Sequence, residues 1–396
     1  MECLYNPSLR GKPVSVCGSV ENRHGIVLAS TPEAKKFGVK TGEAVWQARQ
    51  KCRDLVVVEP HYERYQRFSQ AAYEIYADYS PCVEPFGLDE CWLDVTGTDH
   101  LFGSGKSAAD AIRARIKAEL GITASVGVSY NKIFAKLGSD MKKPDATTVI
   151  LPSDYQSKVW DLPASDLLYV GPATESKLHR YGINTIGQLA CSDLDFLCRL
   201  LGKWGITLWR FANGLDSSPV SPTGSVPVIK SIGNSTTCPR DLTSEDDIRI
   251  TTMLLAESVA ARLREQRCKC RTVQVWIHNT DLSGRERQVR LPFPSYTAKR
   301  IGDTATGVIL KNWQGQPVRG LGVRAQNLVL DEYPQLSLLP EIKEEQKQED
   351  LEIALDHVRR RFGHFCVQRG IMLTDTRLSH LAPKDEHTIH PVSFFQ

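Results

Sequence analysis

The apolar residues of this chain follow two periods, which alternate over about the first 150 positions. Short continuous apolar runs, typical of buried strands, stand at residues 25–29, 55–58 and 124–129. Between these runs, apolar residues at helical spacing predict helices, most clearly over residues 107–120 and 131–139. The pattern therefore predicts a region in which strands and helices are mixed.

The middle of the chain divides into a helical region, a linker and a second mixed region. Residues 162–215 are helical in pattern, and residues 217–227 contain the three Pro and four Ser that are typical of a linker. Beyond the linker, helices are predicted over residues 244–266 and from residue 298, with a strand over 272–277 between them. These changes of composition mark domain boundaries.

The last part of the chain, residues 341–396, shows no pattern of residues that indicates a chemistry. It begins with an acidic, Gln-rich stretch over residues 341–350 and continues with one predicted helix over residues 351–362. Because such a composition supplies little apolar surface for a core, it favours a partly disordered extension.

Two adjacent carboxylates, Asp89 and Glu90, stand in an apolar stretch that spans residues 84–95. Gly87 permits a tight turn, so both side chains are predicted at the tip of a β-hairpin. Neighbouring carboxylates in an apolar setting repel each other, and a divalent cation with oxygen ligands, such as Mg²⁺, would remove that cost. The alternative is an ordinary exposed turn, in which Asp and Glu are common.

A second group of charged residues follows the strand at 124–129. Lys132, Lys136 and Lys143 lie four and seven positions apart, so one helical face could present several of them together. A solvated lysine face is the alternative. The pairing of a carboxylate hairpin with a lysine-bearing helix favours phosphoryl transfer with nucleotides, which needs both charges.

The distribution of charge indicates a partner. The 396 residues carry a net charge of only +3, but residues 262–324 contain thirteen Lys or Arg against four Asp or Glu, an excess of nine positive charges. Such an excess favours a nucleic-acid surface over an ordinary solvated one, which would mix the signs. The eleven Cys form no Cys-x-x-Cys pair, so the thiols are expected to be reduced, intracellular and free of zinc.

Four motifs together resemble the Y family of DNA polymerases, most closely the DNA polymerase IV-like enzymes of bacteria. They are Glu-Ala-Lys-Lys-Phe-Gly-Val at residues 33–39, Gly-Leu-Asp-Glu at 87–90, the stretch from Ser-Val-Gly-Val to Phe-Ala-Lys at 125–136, and Lys-Pro at 143–144. The likeness continues to about residue 340. It implies an α+β fold: a right-hand polymerase with a ferredoxin-like palm, small fingers, a helical thumb and a βαββαβ little finger.

The resemblance also implies an active site. In this family the palm carboxylates hold two Mg²⁺ ions, so Asp89 would be a metal ligand and Glu90 a ligand close to the attacking 3′-hydroxyl. Lys143 would contact the triphosphate of the incoming nucleotide. Lys35 stands where the family usually has an Arg on the triphosphate, which keeps the charge but loses bidentate binding. Pro32 stands where a Tyr is usual.

The resemblance further implies DNA and clamp contacts. Residues 169–174, which lead into residues 178–183, resemble a helix-hairpin-helix that grips DNA through loop amides at a helix start, although Tyr169 replaces the usual first Gly. The stretch at residues 335–339, at the end of the little finger, resembles the peptide that docks on the sliding clamp, with Leu339 in place of the final aromatic residue. The expected DNA contacts are Val170, Gly171, Lys230, Arg319 and Arg324, and the expected clamp contacts are Gln335, Leu336 and Leu338.

The family begins with a strand that carries an Asp metal ligand and is followed by an aromatic residue that excludes ribonucleotides. This sequence starts after that segment, so one of three metal carboxylates is expected to be missing. Our hypothesis is that the true start lies upstream and that Met1 is an internal GTG codon. The rival hypothesis is a truncated, inactive chain.

The sequence thus predicts a domain order and a function. We expect palm and fingers over residues 1–160, thumb over 161–216, linker over 217–227, little finger over 228–339 and a C-terminal extension over 340–396. The expected protein is a cytoplasmic, nucleoid-associated bacterial monomer without membrane segments. It would perform low-fidelity translesion synthesis with dNTPs, primer-template DNA and the sliding clamp.

Two other functions stay open from the sequence. One is a non-catalytic protein that binds DNA and the clamp and recruits or regulates true polymerases. The other is a nucleotide cyclase built on a similar palm. The cyclase is disfavoured because it would leave the helical region and the excess of nine positive charges unexplained.

Overall fold

The computed structural model describes residues 1–19, 25–225, 228–331 and 340–380. Contacts divide these residues into two compact units, of which the first comprises residues 1–10 and 61–225 and the second comprises the remainder. Among the residues so described, no helix combines the length and the apolar composition that a membrane crossing requires.

The strands and helices are numbered here in chain order. The strands are β1 (Val14–Cys17), β2 (Val27–Ser30), β3 (Val56–Val58), β4 (Val83–Pro85), β5 (Cys91–Leu93), β6 (Val126–Ser129), β7 (Thr147–Ile150), β8 (Ser231–Leu242), β9 (Cys268–Asn279), β10 (Gly284–Ser295) and β11 (Val318–Leu330). The helices are α1 (Glu2–Tyr5), α2 (Pro32–Lys36), α3 (Val45–Lys51), α4 (Tyr62–Ala77), α5 (Asp99–Phe102), α6 (Gly105–Arg115), α7 (Lys132–Met141), α8 (Tyr155–Val159), α9 (Pro172–His179), α10 (Ile186–Ala190), α11 (Leu194–Leu201), α12 (Lys203–Ala212), α13 (Glu245–Glu265), α14 (Ala298–Asn312), α15 (Pro340–Phe362) and α16 (Thr376–Ser379).

In the first unit, two short sheets position the candidate site. Strands β4 and β5 pair antiparallel as a hairpin, and β6 pairs with β7 in parallel. Helix α7 packs closely on β6, because a Cβ at Gly127 would lie 1.8 Å from the backbone oxygen of Ala135. Only glycine permits this approach, which fixes the position of α7 against the sheet.

Helices α8 to α12 share one hydrophobic core with α7 and β7. Phe134 and Leu137 of α7 are buried in it, together with apolar residues of the helical region. The helical pattern predicted over residues 162–215 is confirmed, with turns between short helices. Because this core is continuous, the helices that follow residue 160 hold α7, the lysine-bearing helix, in position through apolar packing.

The predicted linker makes specific contacts in the first unit. Ser221 donates its backbone N–H to a Glu84 carboxylate oxygen over 2.8 Å, and Thr223 donates to the Pro81 backbone oxygen over 2.9 Å. The Thr223 hydroxyl in turn accepts from the Val83 N–H over 3.2 Å. Residues 217–225 are therefore held along β4, which their Pro- and Ser-rich composition did not predict.

The second unit contains two sheets. The smaller has the order β2-β1-β3, with β1 antiparallel to β2 and parallel to β3. The larger has the order β10-β9-β11-β8, is antiparallel throughout, and is covered by α13 and α14. Its βαββαβ order along the chain confirms the module that the resemblance implied, although its strands are about twice as long as the sequence runs suggested.

The C-terminal region belongs to the second unit. Helix α15 begins at Pro340, well before the predicted residue 351, and Met372 and Leu378 join the core under α13. Carboxylates of α15 are almost fully buried, among them Glu345, Glu349 and Glu352. The partly disordered extension expected from composition is therefore wrong for residues 343–380, because ion pairs rather than apolar contacts hold most of this region.

Candidate active site

The predicted carboxylate hairpin is present. Phe86 donates its N–H to the Glu90 backbone oxygen over 2.8 Å, and Gly87 turns the chain with a φ of +133°. At the tip, the Asp89 side chain is exposed and Glu90 is half-buried. The Phe86 ring packs on Trp92, with 4.4 Å between ring centroids, so the base of the hairpin is rigid.

Both carboxylates act on the thiol of Cys91, and Asp89 also acts on Tyr76. Burial raises the pKa of the Cys91 thiol to about 12, and the charges of Asp89 and Glu90 add to this rise. Burial also raises the pKa of Tyr76, with further contributions from Cys91 and Asp89. The hairpin tip therefore concentrates negative potential, which a nearby cation would offset.

Of the lysines on α7, Lys136 reaches the tip of the hairpin. The Lys136 Nζ lies 3.1 Å from Oε1 of Glu90 and 2.5 Å from Oδ2 of Asp140, one helical turn further on. The other Asp140 oxygen lies 2.7 Å from the Lys143 Nζ. Burial would lower the pKa of Lys136, but its hydrogen bond with Asp140 and the charge of Glu90 outweigh this effect and the pKa is raised.

The shared lysine face predicted from spacing forms only in part. Lys132 turns away and pairs with Glu84 over 2.6 Å, with its Nζ 4.7 Å from the centre of the Trp92 ring. Spacing alone could not show this, because Glu84 lies on a strand distant in sequence. Asp140 was not identified from the sequence. Its position, four residues after Lys136 and three before Lys143, is the spacing at which helical side chains of opposite charge pair.

The donor set at the hairpin fits a divalent metal in type. Asp89 and Glu90 supply carboxylate oxygens, which Mg²⁺ prefers, and their mutual repulsion favours a bound cation. Within the described residues, no three or more His, Cys, Asp or Glu lie together as a complete metal site would need. Asp89 and Glu90 thus supply two carboxylate donors of the type that Mg²⁺ prefers, which is fewer than a complete site needs.

The predicted triphosphate contacts belong to different units. Lys143 is exposed in the first unit and pairs with Asp140. Lys35 lies in the second unit, exposed in the last turn of α2, where Thr31 caps the helix start and Pro32 is its first residue. The nucleotide role of both lysines stays a prediction.

The predicted DNA-gripping turn of the helical region has an unusual backbone. Val170 is buried and Gly171 is the exposed N-cap residue of α9. Tyr169 has a φ of +71°, a left-handed conformation that glycine adopts without strain and a bulky residue does not. Its ring packs against Trp204, with 5.6 Å between centroids. The Gly that the resemblance implies for residue 169 would adopt this conformation without strain.

The basic surface of the second unit is smaller than the sequence count suggested. Several of the thirteen positive residues are neutralised by carboxylates beyond the counted window, as Arg264 is by Glu352 over 2.8 Å and Arg300 by Glu345 over 3.0 Å. Lys230 and Arg324 are exposed, and Arg319 is half-buried. The strands of the larger sheet present further exposed arginines, which are Arg271, Arg285, Arg287 and Arg290.

The predicted clamp peptide cannot be placed. Gln335, Leu336 and Leu338 lie outside the described residues, so their role stays a prediction.

Comparisons with known proteins identify the class. The profile of the impB/mucB/samB family matches residues 1–140, and that of the family's C-terminal domain matches residues 229–338. The fold is similar to that of a solved Y-family DNA polymerase chimera, with a TM-score of 0.72 and 23% identity, over 83% of this chain and 95% of the other. The fold is thus that of a Y-family polymerase.

Similar sequences extend this to the chain itself. The DNA polymerase IV of Acetivibrio thermocellus is 52% identical over 96% of both chains. That of Moorella thermoacetica is 38% identical over 93% of this chain and 92% of its own, and DNA polymerase IV 2 of Bacillus subtilis is 36% identical over 94% and 92%. This chain belongs to the Y family of DNA polymerases, and its enzyme class is that of the DNA-directed DNA polymerases.

Proposed function

We propose that this chain performs template-directed DNA synthesis of low fidelity and extends primers past damaged template bases. The observation that carries the proposal is the hairpin of Asp89 and Glu90 beside the lysine-bearing α7, with Lys136 3.1 Å from Glu90. Membership of the family and 52% identity to a DNA polymerase IV support it.

In this proposal Asp89 and Glu90 are ligands of two Mg²⁺ ions. The ions would supply positive charge that activates the attacking 3′-hydroxyl and stabilises charge on the transferred phosphate. The exposed Asp89 carboxylate is free to reach a ligand arriving from solvent, and Glu90 is oriented by its contact with Lys136. The rigid base of the hairpin then limits how far the two carboxylates move.

Lys143 of the first unit binds the triphosphate of the incoming nucleotide in this proposal, and Lys35 of the second unit is a separate candidate for a phosphate contact. Lys143 has 59% of its side chain exposed, so a phosphate can replace or share its partner Asp140. Lys35 is exposed in the last turn of α2, and it binds as a point charge rather than as a bidentate fork.

The DNA backbone lies along exposed positive residues in this proposal. Lys230, Arg319 and Arg324 contact phosphates, together with the exposed arginines of the larger sheet, and the amides near Val170 and Gly171 hold a second stretch of backbone. Such contacts position DNA without reading its sequence, and binding weakens steeply with salt. The peptide that includes Gln335, Leu336 and Leu338 docks on the sliding clamp.

Primer extension tests the proposal against its main alternative, a non-catalytic protein that binds DNA and the clamp. The purified chain is incubated with Mg²⁺, dNTPs and primer-template DNA carrying either an intact base or an abasic site. Extension across both templates is the expected result. Tight, salt-sensitive DNA binding without any extension would overturn the catalytic proposal and leave the accessory function.

A further inference from the structure

We infer that Lys136 and Asp140 form a positioning pair that links the metal-binding end of the site to its triphosphate-binding end. The inference rests on the proposed function. Four side chains alternate in charge in one row: Glu90, Lys136, Asp140 and Lys143, joined by contacts of 3.1, 2.5 and 2.7 Å. Neither member of the pair needs to touch the substrate.

Lys136 is the least exposed member of this row, and its neighbour Asp140 has 44% of its side chain exposed. Only 17% of the Lys136 side chain is exposed, against 36% for Glu90 and 59% for Lys143. A half-buried ammonium needs its carboxylate partners, because burial without them would disfavour its charge. The row is thus anchored at Lys136, while Glu90 and Lys143 can reach solvent and a ligand.

Helix α7 holds the pair in place. The Asn131 side chain caps the helix by accepting from the Phe134 N–H over 2.8 Å, and Phe134 is fully buried. At Gly127 the backbone of β6 approaches too closely for any larger residue. Since α7 cannot shift against the sheet, Lys136 meets Glu90 from a fixed position.

The consequence is that Lys136 lowers the affinity of Glu90 for a divalent cation. Lys136 neutralises Glu90 while no metal is bound, so a divalent ion must compete with its charge for the same carboxylate. Asp140 shares its two oxygens between Lys136 and Lys143 and thereby holds Lys143 on the triphosphate side. Loss of Lys136 should therefore strengthen metal binding without nucleotide, and loss of Asp140 should weaken nucleotide binding.

Two measurements test the pair. Mn²⁺ binding, followed by electron paramagnetic resonance without DNA or nucleotide, should become about tenfold tighter in Lys136→Met because a nearby positive charge is removed. Lys136→Arg keeps the charge and should stay within about twofold of the original chain. In primer extension, Asp140→Asn should raise the KM for dNTP about fivefold while kcat changes less than about twofold.

The matched control is Asp154→Asn, which breaks a similar Lys–Asp pair on α8, where Lys158 lies 2.5 Å from Asp154. It should change neither Mn²⁺ affinity nor the KM. Unchanged Mn²⁺ affinity in Lys136→Met, or an Asp140→Asn KM no different from the control's, would overturn the inference. The Mn²⁺ arm does not depend on catalysis, so a chain that fails to extend primers overturns the proposed function separately.

Discussion

The buried carboxylate of Glu352 offers a quantitative test of how the C-terminal region is held. Its side chain is 3% exposed and lies 2.8 Å from Arg264 and 3.0 Å from Arg369. It also accepts the backbone N–H groups of Ala298, over 2.7 Å, and Lys299, over 3.2 Å, so α15 supplies a cap for the start of α14. The change Glu352→Gln keeps the size but removes the charge.

We expect this change to destabilise the second unit by about 2–3 kcal/mol. Breaking a buried ion pair by removing one partner costs about 3–5 kcal/mol. The retained amide oxygen still accepts one hydrogen bond, and Arg369 is 27% exposed and can recover water, so the lower figure applies. The new NH₂ group would also lie against N–H donors that the carboxylate accepts from, and it cannot accept their hydrogen bonds.

Hydrogen exchange at the start of α14 measures this effect locally. Protection of peptides that cover residues 296–305 should fall about 30- to 100-fold in Glu352→Gln, since about 1.4 kcal/mol corresponds to a factor of ten. Glu344→Gln, an exposed position on the same helix, is the control and should change protection by less than about threefold. Equal protection in both variants would refute the view that ion pairs hold α15.

Three further outcomes are expected. Arg324→Gln should weaken binding to any DNA sequence and lower the salt slope by about one unit, as measured by fluorescence anisotropy; a sequence-dependent loss would contradict a phosphate contact. Hydrogen bonds from Arg240 hold the pKa of Asp247 well below its usual value, so the stability that the Asp247 carboxylate contributes is present above about pH 4 and is lost as the pH falls. The urea concentration at the midpoint of unfolding should therefore fall less between about pH 5 and pH 3 in Asp247→Asn than in the original chain. Gly205→Ala should destabilise by about 2 kcal/mol or more, because its Cβ would lie 2.3 Å from a backbone oxygen of α11, whereas Gly307→Ala, with open space in α14, should stabilise by about 0.5–1 kcal/mol in urea unfolding.

Local signals predicted much of the fold. Gly87 beside two carboxylates marked the hairpin, and the helix predicted over residues 244–266 matches α13, which the structure shows capped by Ser244. The ends of the strands in the larger sheet were harder to predict. Exposed charged residues such as Arg287 interrupt the apolar pattern of the edge strand β10. At the hairpin and at the start of α13, the residues that determine the element are neighbours in sequence.

Contacts between distant residues could not be predicted in the same way. The partner of Lys132 is Glu84 on a separate strand, and only the folded chain brings them together. The acidic residues of α15 repeat at helical spacing, a stripe formed by Glu345, Glu349, Glu352 and Asp356. That stripe is visible in the sequence, but it lies beyond residues 262–324, the range in which the excess of positive charge was found.

The most direct test of the central claim compares two neutralised aspartates in single-turnover primer extension. Asp89→Asn removes a carboxylate from the hairpin tip, and Asp99→Asn makes the same change at the exposed first residue of α5. The account predicts that Asp89→Asn extends at least about 100-fold more slowly while DNA binding is unchanged, and that Asp99→Asn extends normally. Equal rates in the two variants would show that the hairpin of Asp89 and Glu90 is not the catalytic centre.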